Sequence, residues 1–177
     1  MSAAHDTVRP TRYNPLLMAD WARVLGLSRE AVIHSLRTAV STVISLVLAR
    51  SLKLPEFYWA PLSTIVIMLS TVNPLTLAWQ RFVGTALGAT LGAVIASFFQ
   101  PNWIVYGVGI LVCGIVSAVL RLRTAYRFAA IALTIVLLVG HERGPWMVAL
   151  HRFIEVSLGI AVGLLTTLVW PVSERAR

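Results

Sequence analysis

Long apolar runs, broken at short intervals by proline, asparagine and arginine, fill the chain from about residue 31 to residue 170. One helical crossing of a bilayer takes about 20 apolar residues. On that measure six spans are expected, at Ala31–Leu52, Phe57–Val72, Phe82–Phe99, Trp103–Leu120, Phe128–Gly140 and Val148–Trp170. Pro55, Pro74, Pro101 and Pro145 mark connections between them. Upstream, Asn14-Pro15 can start a short helix. In "LLMADWARVLGL", Leu17, Trp21, Val24 and Leu25 share one face, as in a helix lying on a membrane surface. Ser28 can cap the first span, with Glu30 in its first turn. The expected organisation is an N-terminal cytoplasmic segment over 1–30, a six-helix membrane domain over 31–171 and a cytoplasmic tail over 172–177.

The pattern also repeats. "RFVGTALGATLG" begins at Arg81, and "RFIEVSLGIAVG" begins at Arg152. The copies open the third and sixth expected spans. An odd number of crossings separates them, so they run in opposite senses. The fold class expected is an all-α membrane protein, six transmembrane helices in a 3+3 inverted repeat with a short interfacial N-terminal helix. Transporters built this way keep their substrate site near the repeat interface at mid-depth. Gly84, Gly88 and Gly92 lie four apart, as do Gly159 and Gly163. Small residues at that spacing let helix backbones approach in lipid. The third and sixth spans are therefore expected to be central, packed on each other or on a second chain.

Composition sharpens the class. The 177 residues are 58% hydrophobic and only 12% charged, with a mean hydropathy of +0.80. A water-soluble domain carries about a quarter charged residues. The net charge of +8 sits at span ends rather than along a polar face, which disfavours nucleic-acid binding. With Arg37 set aside as intramembrane, ten basic residues fall on the side of the termini and four on the other. The positive-inside rule then puts both termini in the cytoplasm. The polar segment ahead of the first span lacks the apolar core of a cleaved signal peptide. Lone Cys113 allows no disulfide within one chain and reads as a small packing residue.

Ionisable groups inside a span face a bundle interior, a wet cavity or each other. Arg37 lies about two turns into the first span and Glu155 one turn into the sixth, the only acid placed clearly inward. Arg152 and Glu155, three apart, can pair along one helix face. Arg81 and Arg127 either snorkel to headgroups or line a path. This excess of cations favours an anion, and the guanidinium fork suits a carboxylate. Trp59 and Pro61 open the second span, where a proline can free a carbonyl beside a cavity. The substrate path is read as Arg37, Trp59, Pro61, Arg81, Arg127 and Arg152, with Glu155 as proton carrier. His141-Glu142 and the pair His151 and Glu155 lack a third ligand at metal spacing. No metal, cofactor or catalytic residue is expected, and the chain is not read as an enzyme.

The segments "RTAVSTVISLVLARSLKLPEFYWAPLSTIVIMLS", "QRFVGTALGATLGAVIA", "YRFAAIALTIVLL" and "HRFIEVSLGIAVGLLTTLVWP" resemble the membrane domain of the fusaric acid resistance and aromatic acid exporter family. The shared pattern is an Arg opening the first span, Trp-x-Pro opening the second, Arg-x-x-Gly-Thr-x-x-Gly the third and Arg-x-x-acidic-x-x-x-Gly the sixth. By motif it singles out Arg37, Trp59, Pro61, Arg81, Gly84, Thr85, Gly88, Arg152, Glu155 and Gly159. The resemblance implies export of aromatic or other organic acids, driven by the proton gradient. Larger members carry two such blocks and cytoplasmic domains, so a homodimer or larger homo-oligomer is expected here. The alternative is a non-transporting scaffold or accessory subunit.

Overall fold

The computed structural model describes residues 29–170, the side chains of 141–143 excepted. The expected interfacial helix, the Ser28 cap, the tail and the His141-Glu142 side chains lie outside the described residues. The chain divides into two units, Met1–Ser35 and Leu36–Arg177. Among the described residues six α-helices follow in order: α1 Arg29–Ser51, α2 Trp59–Met68, α3 Pro74–Phe98, α4 Trp103–Val119, α5 Tyr126–Arg143 and α6 Pro145–Val169. The described residues contain no strand. Three helices, α1, α3 and α6, are long and apolar enough to cross a membrane; α2, α4 and the apolar part of α5 are shorter.

The ends of α3 and α6 depart from expectation. Both start at a proline and run for 25 residues, so Arg81 and Arg152 sit two turns inside rather than at the starts. Asn73 accepts a hydrogen bond from the Leu75 N–H at 2.9 Å, and Pro74 takes the first helical position, where its missing N–H is harmless. Before α6, Gly144 adopts φ 85°, letting α5 reverse straight into Pro145. Pro61 is likewise in the first turn of α2, so it breaks no helix and frees no carbonyl mid-span.

The glycine faces do not meet each other. A side chain at Gly88 would collide with the Ala129 carbonyl on α5, and one at Gly159 with the Ala60 carbonyl on α2. Gly84 faces Ala125 and Phe128, Gly92 faces Leu133 and Val136, and Gly163 faces Ile67. So α3 lies along α5 and α6 along α2, each parallel and at backbone distance. Thr64 Oγ1 seals the second pair by donating to the Gly159 carbonyl at 3.0 Å. Between α3 and α6 the packing is antiparallel. Ala78 clusters with Val156 and Ile160, Phe82 packs on Phe153 with ring centres 4.8 Å apart, and Ala89 clusters with Val148 and Ala149.

The same contacts recur at constant steps along the chain. Gly88 and Gly159 are separated by the same step as Arg81 and Arg152, and their partners Ala129 and Ala60 by nearly the same one. The buried stripe Ser41, Ser45, Ala49 of α1 has its counterpart, one slightly shorter step on, in Gly109, Cys113, Ser117 of α4. Both helices end in the same turn. Leu54 N–H donates to the Ala49 carbonyl and Leu122 N–H to that of Ser117, with Lys53 and Arg121 at positive φ.

Surface and interior are reversed relative to a water-soluble bundle. Large apolar side chains face outward all along the helices, Trp103 and Val169 each 83% exposed, while Arg37, Arg81, Arg152 and Glu155 are buried. Water would not tolerate such a surface; hydrocarbon would.

Candidate functional site

Helices α2, α3, α5 and α6 line a half-open cavity of about 270 Å³. Its walls come in pairs at the steps just described: Trp59 and Phe128, Leu62 and Ile131, Val66 and Ile135, Arg81 and Arg152, Thr85 and Val156. Ile65 and Ala132 complete the lining. Each arginine stands over the aromatic ring of a neighbouring helix. The Arg81 guanidinium carbon is 5.1 Å from the Phe128 ring centre, and that of Arg152 is 4.0 Å from Trp59. Cation–ring attraction holds both heads against the walls.

The two halves differ in charge. Arg152 Nη2 donates to Glu56 Oε2 at 2.5 Å, and its Nη1 lies 3.8 Å from Glu155 Oε2. Two further hydrogen bonds hold the acids of this cluster, while Arg152 Nε and Nη1 and Glu155 Oε2 accept or donate none. Glu56 Oε2 accepts from Trp59 Nε1 at 3.1 Å, and Glu155 Oε1 accepts the Glu56 backbone N–H at 3.0 Å. Arg81 has no carboxylate within ion-pair distance among the described residues. Its Nη2 donates to Ser63 Oγ at 3.1 Å, and its buried Nε has no partner. Only 8% of Arg81 is exposed. A desolvated cation with one neutral hydrogen bond is an energetically open position. A carboxylate is the group that closes it, because the guanidinium offers two parallel donors.

The remaining expected site residues fall elsewhere. Arg127 is exposed at the start of α5, with its guanidinium 4.7 Å from the Phe128 ring, outside the cavity. Arg37 is buried in a different groove, shared with the last turns of α6 near Leu165 and Trp170. Pro61 is buried but does not line the cavity. Trp59, Arg81, Arg152 and the adjoining Glu155 are thus brought together and separated from Arg37 and Pro61. Glu56 was missed. The reading that Glu155 is the only inward acid is corrected, since Glu56 is Arg152's nearer partner. It sits in a turn before α2, 96 residues from Arg152, where no helical periodicity assigns it a face.

A helical bundle with an apolar exterior and buried, cavity-lining arginines is a membrane protein. The chain belongs to the fusaric acid resistance protein-like family, which it matches over residues 43–166. It is 27% identical over 148 residues to inner membrane protein YeeA of Escherichia coli (strain K12), a match spanning 79% of this chain and 41% of that protein. The chain thus covers less than half the length of this curated relative. No solved structure matches it.

Proposed function

We propose that this chain is a transport unit that moves organic anions, foremost aromatic carboxylic acids, out across a bacterial inner membrane. The observation that carries the reading is Arg81, buried at the cavity wall with no carboxylate partner among the described residues. Family membership and the inner-membrane relative support the setting. The cavity volume is just below the roughly 300–1,000 Å³ of typical ligand pockets, a size for a single-ring acid. Apolar pairs such as Leu62 and Ile131 take the ring, while Arg81 takes the charge.

In this reading the chain crosses the bilayer six times as a 3+3 inverted repeat with both termini cytoplasmic. Recurrence of the same contacts at near-constant steps supports the repeat, as does the antiparallel packing of α3 on α6. The cavity then lies on the pseudo-twofold axis, where such transporters hold their substrate. The shorter helices cross where the bilayer is locally thinned. Glu155 carries the coupling proton, and two or more copies of the chain assemble. Purified protein in proteoliposomes should export benzoate, and Arg81→Gln should abolish that flux at unchanged insertion. Unaltered flux would overturn the reading.

The length of the relative favours a second reading, an accessory subunit of a larger complex. Co-purification with a larger permease, together with no flux from the isolated chain, would establish it.

A further inference from the structure

The halves of the cavity match in backbone and wall but carry different side chains at two decisive positions. In one half, Trp59 N–H donates to the Glu56 carbonyl at 3.0 Å. In the other, Phe128 N–H donates to the Ala125 carbonyl at 3.0 Å. Glu56 and Ala125 therefore hold equivalent places, three residues before the ring that the arginine covers. Glu155 and Gly84 are equivalent too, each three positions beyond the arginine of its helix. Where Arg152 meets two carboxylates, the equivalent positions in the Arg81 half hold an alanine and a glycine. Ala125 and Gly84 are themselves adjacent, since a side chain at Gly84 would run into the Ala125 carbonyl and Phe128.

We infer that Glu56 is a tethered carboxylate that neutralises Arg152, so that the site accepts one ligand carboxylate, at Arg81, and selects aromatic monoacids over diacids. The inference rests on the anion reading above and adds the residue that sets ligand charge. The Glu56 carboxylate shows the pose: bonded to the guanidinium at 2.5 Å, beside the ring that the guanidinium covers. A ligand carboxylate on Arg81 beside Phe128 reproduces it. A second ligand carboxylate would have to displace Glu56 from Arg152. It would then leave that acid beside Glu155, which already accepts its N–H. Like charges held that close in a desolvated site repel strongly.

Arg152 is also shared with a smaller cavity of about 110 Å³, lined by Glu56, His151 and Glu155. Arg152 thus forms the wall between the two spaces, with Glu56 on the side of the smaller one.

The test is calorimetric titration of the purified full chain in phosphatidylcholine nanodiscs with benzoate, isophthalate and terephthalate. The wild type should bind benzoate more tightly than either diacid. In Glu56→Gln, and further in Glu56→Gln/Glu155→Gln, the ratio of the better diacid to benzoate should rise by about tenfold or more, the low end for a hydrogen bond to a charged group. Glu56→Asp keeps the charge on a shorter stem and should raise the ratio less, which covers the case in which the neutral variants do not fold. An unchanged ratio in the folded variants, with benzoate binding intact in the wild type, overturns this inference and leaves the anion reading standing. Absence of benzoate binding to the wild type overturns both.

Discussion

Arg81 and Arg152 occupy matching places in one cavity, yet among the described residues only Arg152 meets a carboxylate. Both lie two turns into a 25-residue, proline-initiated helix, and both cover an aromatic ring on the helix paired with their own. The difference arises from two side chains, Glu56 for Ala125 and Glu155 for Gly84. A duplicated scaffold can therefore keep its packing symmetric and its electrostatics asymmetric. Packing spreads over many small contacts, whereas charge in a site of low dielectric is decided by one or two groups. A symmetric cavity with two open arginines would hold two buried, uncompensated charges, a strongly destabilising arrangement. Neutralising one from within leaves a single open position with a defined polarity.

The likeness of the halves is most exposed to attack through packing. Gly88→Ala and Gly159→Ala each force a methyl group into a backbone carbonyl, and each should destabilise the protein by about 3 kcal/mol or more, the upper range for overpacking. Equal losses in thermal unfolding would show that the halves are mechanically alike. Gly107→Ala, which meets nothing within 4 Å, is the control and should leave stability unchanged or slightly improved. Next in size, Arg81→Gln should weaken benzoate binding by about 10- to 100-fold, as expected for a lost charge-assisted bond. Arg81→Lys should recover only part of it, because an ammonium lacks the planar fork. Titration calorimetry reads both.

A smaller effect separates the two acids of the Arg152 half. Glu56→Gln removes the 2.5 Å contact and Glu155→Gln the 3.8 Å one. Unfolding measurements should therefore show the larger loss, about 1–3 kcal/mol, for Glu56. In proteoliposomes, Glu155→Gln should abolish uptake or release driven by a pH step while leaving benzoate exchange in place; intact pH-driven flux would remove Glu155 from the coupling role. The finest probe exchanges the rings. Trp59→Phe should cost about 0.5–2 kcal/mol of stability through a weaker cation–ring contact and the lost Nε1 bond to Glu56. Phe128→Trp should strengthen the Arg81 side by a fraction of that.

Several features were legible because they depend on local pattern. Every described helix overlaps an expected apolar run, since a run that long has no other way to satisfy its backbone in lipid. The ends were less legible. The third span was expected from Phe82, yet α3 starts at Pro74. "PLTLAWQR" is too mixed in polarity to register as apolar, although Asn73-Pro74 is a readable start signal. The internal likeness between the segments at Arg81 and Arg152 was visible in residue types alone. That the glycine faces would meet α5 and α2 instead of each other was not, because spacing defines a face without naming its partner.

Residue order and composition were enough to establish a helical membrane protein of this family, the inward placing of Arg37 and Glu155 and the spacing of the close-packing glycines. These follow from short-range rules: apolar residues face lipid, and small ones let backbones approach. It took the packed bundle to put Arg81 and Arg152 in one cavity with Arg37 in another groove, and to bring Glu56 across 96 residues to neutralise one of the pair. Ion pairing acts over a few ångströms in space with no regard to separation along the chain, so it becomes definite only when the helices are packed.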